Sequence, residues 1–306
     1  ETVVMGAAFA LLKSDLLLIP DVSVLNVKQA RAFLWHAAWL QEYMNMQCQS
    51  GRPAFPSSLQ QRKFEDFRLA LGGPGGTGKT AVLKMSDSLT TFFVGPDRVR
   101  KLAPSNAAAR LLGGDTLHSL CKLPFGNARL TSKRGRLSSP ALLQHRRMWE
   151  RVVAVYLDEV SMVPADQFLQ CDVRLRQAKS TADAGRPFGG LAMAICGDFL
   201  QLPPVDKDGT KQSLAKLAVE GDAEGEGEGA EEDTKEAKAK AKVRREKAVE
   251  TQQGRHIWEN VRRVICLDVN VRAPGLLGRL QEEMRQGWLS EDMWNVYLSR
   301  VLVPGD

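Results

Sequence analysis

At 306 residues, 43% hydrophobic and 25% charged, the chain is long enough to bury a large core and too apolar to be a disordered polymer. Five cysteines, none in a C-x-x-C pair, exclude a disulfide scaffold and a zinc ribbon, and fit reduced core thiols of an intracellular protein. The formal charge is +6, and because residues 206–250 hold 13 acidic and 10 basic residues, the rest of the chain carries about +9, which suits an anionic partner larger than a nucleotide.

The apolar run from Val3 to Ile19 is interrupted by Lys13 and Asp15 and is too short to span a bilayer, so a buried strand or helix is expected there and no membrane partner. Asn26 can cap a helix through about Gln47, with Val27, Ala30, Phe33, Leu34, Ala37 and Met44 on one side. Trp35, Trp39 and Tyr43 form a second stripe that serves packing or base stacking. Gln29 lies in the first turn; its amide can accept from an adenine amino group and donate to a ring nitrogen, but the position is equally that of an exposed helix residue. Ser50 to Ser58 reads as a loop and Phe64 to Leu71 as a strand.

Gly73, Gly78, Lys79 and Thr80 then satisfy G-x-x-x-x-G-K-[ST], with an apolar run before and after. A loop that wraps a polyphosphate needs its backbone N–H groups near the oxygens, and glycines remove the Cβ atoms that would intervene. Gly73, Pro74, Gly75, Gly76, Thr77, Gly78, Lys79, Thr80 and Ala81 are therefore the nucleotide cradle, with Lys79 on the terminal phosphates and the Thr80 hydroxyl on Mg²⁺.

Val99 to Ala103 is a short strand running into Pro104-Ser105-Asn106 and an alanine-rich helix, followed by Gly113 to Ser119. Small residues and hydroxyls after a strand end allow a nucleic-acid backbone to approach, and are also ordinary turn formers. Arg129 to Arg136 is a basic loop that can track phosphates or simply face solvent. Val152 to Leu157 reads as a strand covered on both faces and delivers Asp158, a carboxylate for Mg²⁺, and Glu159, a base for an attacking water. Leu191 to Cys196 is a further buried strand, and Gln201 beyond it is placed to sense a γ-phosphate.

Composition then changes: Gly221 to Ala230 and Lys235 to Lys247 have almost no large apolar residue, and a disordered loop or solvated helix is expected. Order is expected to return at Gln253, with Ile257 and Trp258 packing, a strand Val264 to Leu267, Arg272 past its end, and an amphipathic segment Leu276 to Trp288.

Taken together, GGPGGTGKT (72–80), LAPSNAAARLLGGDTLHSL (102–120), VYLDEVSMV (155–163) and FGGLAMAICGDFLQLPPV (188–205) resemble the Pif-type (petite integration frequency) DNA helicases of superfamily 1, relatives of RecD. The resemblance implies an α/β, RecA-like phosphate-loop NTPase domain with a mainly parallel central sheet flanked by helices. It implies ATP and Mg²⁺ as cofactors, single-stranded DNA and duplex junctions as partners, and 5′ to 3′ unwinding in genome maintenance. It assigns adenine reading to Gln29, the magnesium carboxylate to Asp158, the catalytic glutamate to Glu159, the γ-phosphate contact to Gln201 and a phosphate contact to Arg272; Pro104, Ser105, Thr116 and His118 fall in its single-strand-contacting motifs.

Ser105 stands where the family usually has threonine, a conservative change for a hydroxyl. The expected layout is a helical region over 1–63, an ATPase domain over 64–268 with a charged insert at 206–252, and the start of a second RecA-like domain over 269–306. A phosphate-loop ATPase acting as a switch or assembly module, without unwinding, is the competing reading.

Overall fold

Short runs become strands, and glycine or proline follows three of them, at Gly73, Pro104 and Gly197. The computed structural model describes residues 25–49, 67–124, 130, 135–179, 184–204, 212–215, 235–273 and 275–299. Six strands are β1 (Arg68–Gly72), β2 (Val99–Ala103), β3 (Asp115–Thr116), β4 (Ala154–Leu157), β5 (Ala192–Cys196) and β6 (Arg263–Cys266). They lie in the order β3-β2-β4-β5-β1-β6, every pairing parallel, with Leu69 opposite Ala194, Tyr156 opposite Ala194 and Ala103 opposite Thr116. Every residue of β4 and β5 is buried, as continuous apolar runs require when helices cover both faces. This is the α/β, RecA-like arrangement that the motifs imply.

Helices fill both sides. One face carries α1 (Val27–Gln49) and α2 (Lys79–Val94), whose Phe33, Leu40, Val82, Leu83 and Leu89 pack with Leu69, Leu71 and Tyr156. Between β2 and β4 the chain forms α3 (Asn106–Leu112), α4 (Leu117–Cys121) and α5 (Ser139–Trp149). The second face carries α4, α5 and α6 (Ala165–Ala178), with Trp149, Phe168, Leu175 and Phe188 buried against Val155, Leu157 and Ile195. Three more helices follow: α7 (Lys235–Glu259), α8 (Leu276–Arg285) and α9 (Glu291–Leu298).

Four sequence expectations shift. Helix α1 is rotated from its apolar reading: Val27 is 84% exposed, while Gln29 and His36 are buried beside Ala32, Phe33 and Leu40. Two polar side chains belong to the inward face because each finds partners there, and an apolar count does not register them. Trp39 stacks on Phe67 and Tyr43, so the aromatic stripe packs.

Of the two alternatives for Lys235 to Lys247 the helix is found, and order begins before Gln253, because α7 runs unbroken from Lys235. Leu214, within the charged insert, is 2% exposed in the second core; Gln212 O accepts from Ala165 N (2.9 Å) and Ser213 O from Arg255 Nε (3.0 Å). One Leu in an otherwise polar stretch suffices as an anchor when a complementary pocket exists, and burying it contributes about 1.5–3 kcal/mol.

Cys266 is exposed, whereas Cys121, Cys171 and Cys196 are buried. On α8 the buried positions are Leu280 and Glu283, and Leu276, Leu277 and Met284 face outward. The expected features at Val3–Ile19 and Ser50–Ser58, and most of the basic loop at 129–136, lie outside the described residues.

Candidate nucleotide and nucleic-acid site

Because all six strands are parallel, all their carboxyl ends share one edge, and there every candidate residue past a strand end is collected. Strand β1 ends in the glycine loop, β4 in Asp158 and Glu159, β5 in the turn that carries Gln201, and β6 in the segment 267–273. Strands β2 and β3, at the far side of the same edge, present Pro104, Ser105, Thr116 and His118.

At Gly73, Gly76 and Gly78 the loop cannot tolerate a side chain. Gly73, Gly76 and Gly78 have φ of 129°, 83° and 83°, outside the range of ordinary residues. A Cβ on Gly73 would enter the Leu267 carbonyl, and one on Gly76 would sit 2.5 Å from Asn270 Oδ1 and 2.9 Å from Arg272 Cβ. Segment 267–273 is thus laid directly on the loop, fixed by Leu267 N donating to Gly72 O (2.9 Å) and Val271 N to Gly76 O (3.0 Å). Asn270 Oδ1 accepts from Arg272 N (3.0 Å) and Ala273 N (2.9 Å), a turn that sets the Arg272 backbone against the loop.

Lys79 Nζ donates to the carbonyls of Gly73 (2.6 Å) and Pro74 (2.8 Å), so the cation already lies within the cradle. The Thr80 hydroxyl donates to Asp158 Oδ2 at 2.7 Å. A hydroxyl and a carboxylate in contact at the mouth of a phosphate loop fit a hard, oxygen-liganded cation such as Mg²⁺. Among the described residues no group of three histidine, cysteine or acidic side chains could hold a metal alone, so phosphate oxygens and water would complete the shell.

Glu159 adopts φ 54°, ψ 43°, a left-handed conformation that costs a non-glycine residue about 1–2 kcal/mol. Its N–H donates to the neighbouring Asp158 carboxylate (2.9 Å). Burial raises the Glu159 pKa above the usual carboxylate range, and Asp158 adds to this while Lys79 opposes it. Strain and a raised pKa coincide at the residue read as the base.

Of the two readings of Gln29, an exposed helix residue and an adenine reader, the first is excluded, because Gln29 is buried. Its Nε2 donates to Thr77 O in the loop (2.7 Å), and its Oε1 accepts from Asn26 N (2.9 Å) while Gln29 N donates to Asn26 Oδ1 (3.0 Å). The pair closes the start of α1 reciprocally and braces the loop from behind. Lys28 and Asp268, 2.7 Å apart, tie the same helix start to the β6 exit.

A deeper brace joins α1, α2 and β4. His36 Nε2 lies 2.7 Å from Thr90 Oγ1 and 3.0 Å from Tyr156 Oη, and both hydroxyls donate to Ser86 O. Thr90 Oγ1 also lies 2.8 Å from Tyr156 Oη, so the imidazole, the two hydroxyls and the Ser86 carbonyl share one buried network, in which His36 Nδ1 has no partner.

A cavity of about 600 Å³ opens beside the loop, lined by Pro74, Gly75, Gln201, Asn270, Arg272 and Arg285 among others. Gln201 Nε2 lies 3.0 Å from where a Gly75 Cβ would be. Gln201, exposed five positions after β5, is held by Gln201 N donating to Asp198 O (3.0 Å). Asp198 in turn pairs with Arg285 through both carboxylate oxygens (3.0 and 3.1 Å). Arg285 and Asn270 carry no sequence signal of their own; only the path of the chain past β6 brings them here.

On the far side, Ser105 Oγ accepts from Ala108 N and Thr116 Oγ1 from Ser119 N, both at 3.2 Å, so the two hydroxyls cap α3 and α4. Pro104 and the half-buried His118 lie at the same two helix starts, after β2 and β3, while the cradle follows β1 towards the other end of the strand order.

The family profile described as PIF1-like helicase matches residues 63–222, just over half the chain. The ATP-dependent DNA helicase PIF1 of Saccharomyces cerevisiae (strain YJM789) is 34% identical over 153 residues, which cover 49% of this chain and 17% of that protein. The human protein of the same name is 36% identical over 136 residues, covering 44% and 20%. The matched part therefore spans about a fifth of these relatives' length. Among solved structures, Pif1 helicase from Candida albicans superposes with a TM-score of 0.52 at 22% identity, over 83% of this chain and 50% of that one. A Pif1 structure concerned with unwinding at forked double-stranded DNA gives 0.51 at 19% identity, over 81% and 52%. At such identities the structural likeness is one of fold.

Proposed function

Because the chain belongs to the PIF1-like helicase family, we propose that it is the ATP-hydrolysing, RecA-like part of a DNA helicase that moves 5′ to 3′ on single-stranded DNA and opens duplex junctions. The observation that carries this reading is the Thr80–Asp158 contact at the mouth of a loop that admits no side chain at Gly73, Gly76 or Gly78. Thr80 and Asp158 would hold Mg²⁺, which when bound supplies positive charge to the terminal phosphates. Lys79 exchanges its two carbonyl partners for phosphate oxygens, a trade of neutral acceptors for charged ones. Glu159 takes the proton of the attacking water, and its raised pKa suits that task. Gln201 and Arg272, both lining the cavity, contact the γ-phosphate.

Pro104, Ser105, Thr116 and His118 carry the DNA strand at the β2–β3 end of the edge, and the excess positive charge elsewhere in the chain supports an anionic partner. Free thiols at Cys121, Cys171, Cys196 and Cys266 support an intracellular setting, nuclear or mitochondrial in a eukaryote, and among the described residues no helix is long and apolar enough to cross a membrane.

The test is ATP hydrolysis with and without single-stranded DNA, together with displacement of a strand from duplexes carrying a 5′ or a 3′ tail. DNA-stimulated hydrolysis and opening of the 5′-tailed duplex are expected. Hydrolysis indifferent to DNA would favour a switch or assembly module instead.

A further inference from the structure

We propose that Arg285 is a positioning residue for Gln201, acting through the Asp198 carboxylate, so that the γ-phosphate contact and helix α8 are set by one ion pair. The proposal rests on the nucleotide reading of the site given above.

The geometry is a chain of three links. Asp198 is 2% exposed, and its side chain builds the turn after β5: Oδ1 accepts from Leu200 N (3.1 Å), and the backbone oxygen accepts from Gln201 N (3.0 Å). Arg285, at the last position of α8, grips that carboxylate with Nε on Oδ2 (3.0 Å) and Nη2 on Oδ1 (3.1 Å). The fork therefore fixes the carboxylate plane, which a point charge would not do. Nη1 is held in turn by Glu282 Oε1 (2.9 Å), so the guanidinium has little freedom to turn away.

Helix α8 is anchored at its other end as well. Segment 267–273 is bonded to the glycine loop, and a Cβ on Gly278 would collide with the Ala273 carbonyl, so the helix start follows the loop closely. One anchor lies on the phosphate loop and the other on the Gln201 turn, with the cavity between them. Any displacement of α8 that opens the Arg285–Asp198 fork releases the carboxylate that shapes the turn. Gln201 then loses its fixed approach to the space beside Gly75. Whatever the chain carries beyond α8 is linked by the same route to the occupancy of the γ-phosphate position.

The test measures discrimination of the terminal phosphate without requiring turnover. Titration calorimetry gives the affinities for ADP and for a non-hydrolysable ATP analogue, both with Mg²⁺, and their ratio is the readout. In Gln201→Ala the ratio should fall about tenfold, the worth of one hydrogen bond to a charged group. Arg285→Met should lower it to the same level with ADP affinity within about twofold of the unaltered chain, and Arg285→Lys should recover part of the loss. The double variant Arg285→Met/Gln201→Ala should be no worse than Gln201→Ala alone, since one acts through the other.

Arg285→Met leaves a buried carboxylate unpaired; if that variant does not fold, Asp198→Asn/Arg285→Met removes both charges and should show the same lowered ratio. An unchanged ratio in the folded Arg285 variants, or losses that multiply in the double variant, would overturn the proposal. Failure of the unaltered chain to bind either nucleotide would overturn the nucleotide reading itself and this proposal with it, and is seen before any variant is made.

Discussion

Acidification should weaken the joint that holds three motif-bearing elements together. His36 lies on α1, Thr90 on α2 beyond Lys79 and Thr80, and Tyr156 on β4 two residues before Asp158, so their shared hydrogen bonds set the spacing of the cradle and the carboxylates. Burial lowers the His36 pKa from 6.5 to about 3. A cation there would be desolvated, and its Nδ1–H would lack a partner. In the unfolded chain the ring protonates near 6.5, so the unfolded state binds the extra proton throughout the window between. Stability is thus fully present above pH 6.5 and is lost as the pH falls towards 3, at about 1.4 kcal/mol per unit and about 4–5 kcal/mol in all. That is comparable with the whole stability of many domains, about 5–15 kcal/mol. Urea unfolding followed by tryptophan fluorescence at pH 7, 6, 5 and 4 would measure it, beside His36→Gln, which stays polar but does not titrate. The stability gap between the two proteins should shrink by about 1.4 kcal/mol per unit below pH 6. Parallel pH profiles would refute the buried neutral imidazole and the joint built on it.

Lys79→Ala should abolish nucleotide hydrolysis while changing the melting temperature little, because the ammonium bonds only loop carbonyls; a collapsed circular dichroism spectrum would show that it holds the loop instead. Glu159→Gln should keep Mg²⁺-dependent nucleotide binding and stop turnover, and the acid limb of the unaltered enzyme should lie above the ordinary glutamate range because burial disfavours the carboxylate; a limb at pH 4 or lower would assign the base elsewhere. Leu214→Ala should cost about 2–5 kcal/mol in urea unfolding, and replacing 206–250 with a Gly/Ser linker should lower the melting temperature, since Leu214 and most of α7 are removed; unchanged stability would mean that the insert's anchor contributes nothing. In a Cys48→Ser chain, Ellman's reagent should modify Cys266 rapidly and Cys121, Cys171 and Cys196 only after denaturation, which quantitative thiol titration would check.

The phosphate loop, the strand before Asp158 and Glu159, and the strand before Gly197 were legible in the residues because each depends on spacing within about ten positions. A glycine at a positive φ, an apolar run of strand length and a proline at its exit act through local sterics, and their parallel order follows from helical crossovers. The residues by themselves thus determined an α/β class with the candidate residues at strand ends, and the resemblance of the motifs implied its RecA-like form. Neither determined what those residues touch. The inward face of α1 was misjudged at Val27 because Gln29 and His36 are buried by hydrogen bonds to residues 48 to 120 positions away, and such partners leave no periodicity. The anchor at Leu214 depends on a pocket made by other segments, and the left-handed backbone of Glu159 on the turn packed around it. Arg285 reaches Asp198 across 87 positions, and in the sequence it is one arginine among many at the end of an amphipathic helix. Only the tertiary structure decided these contacts, because a buried polar group is stable solely where a second, sequence-distant group completes its hydrogen bonds or charge.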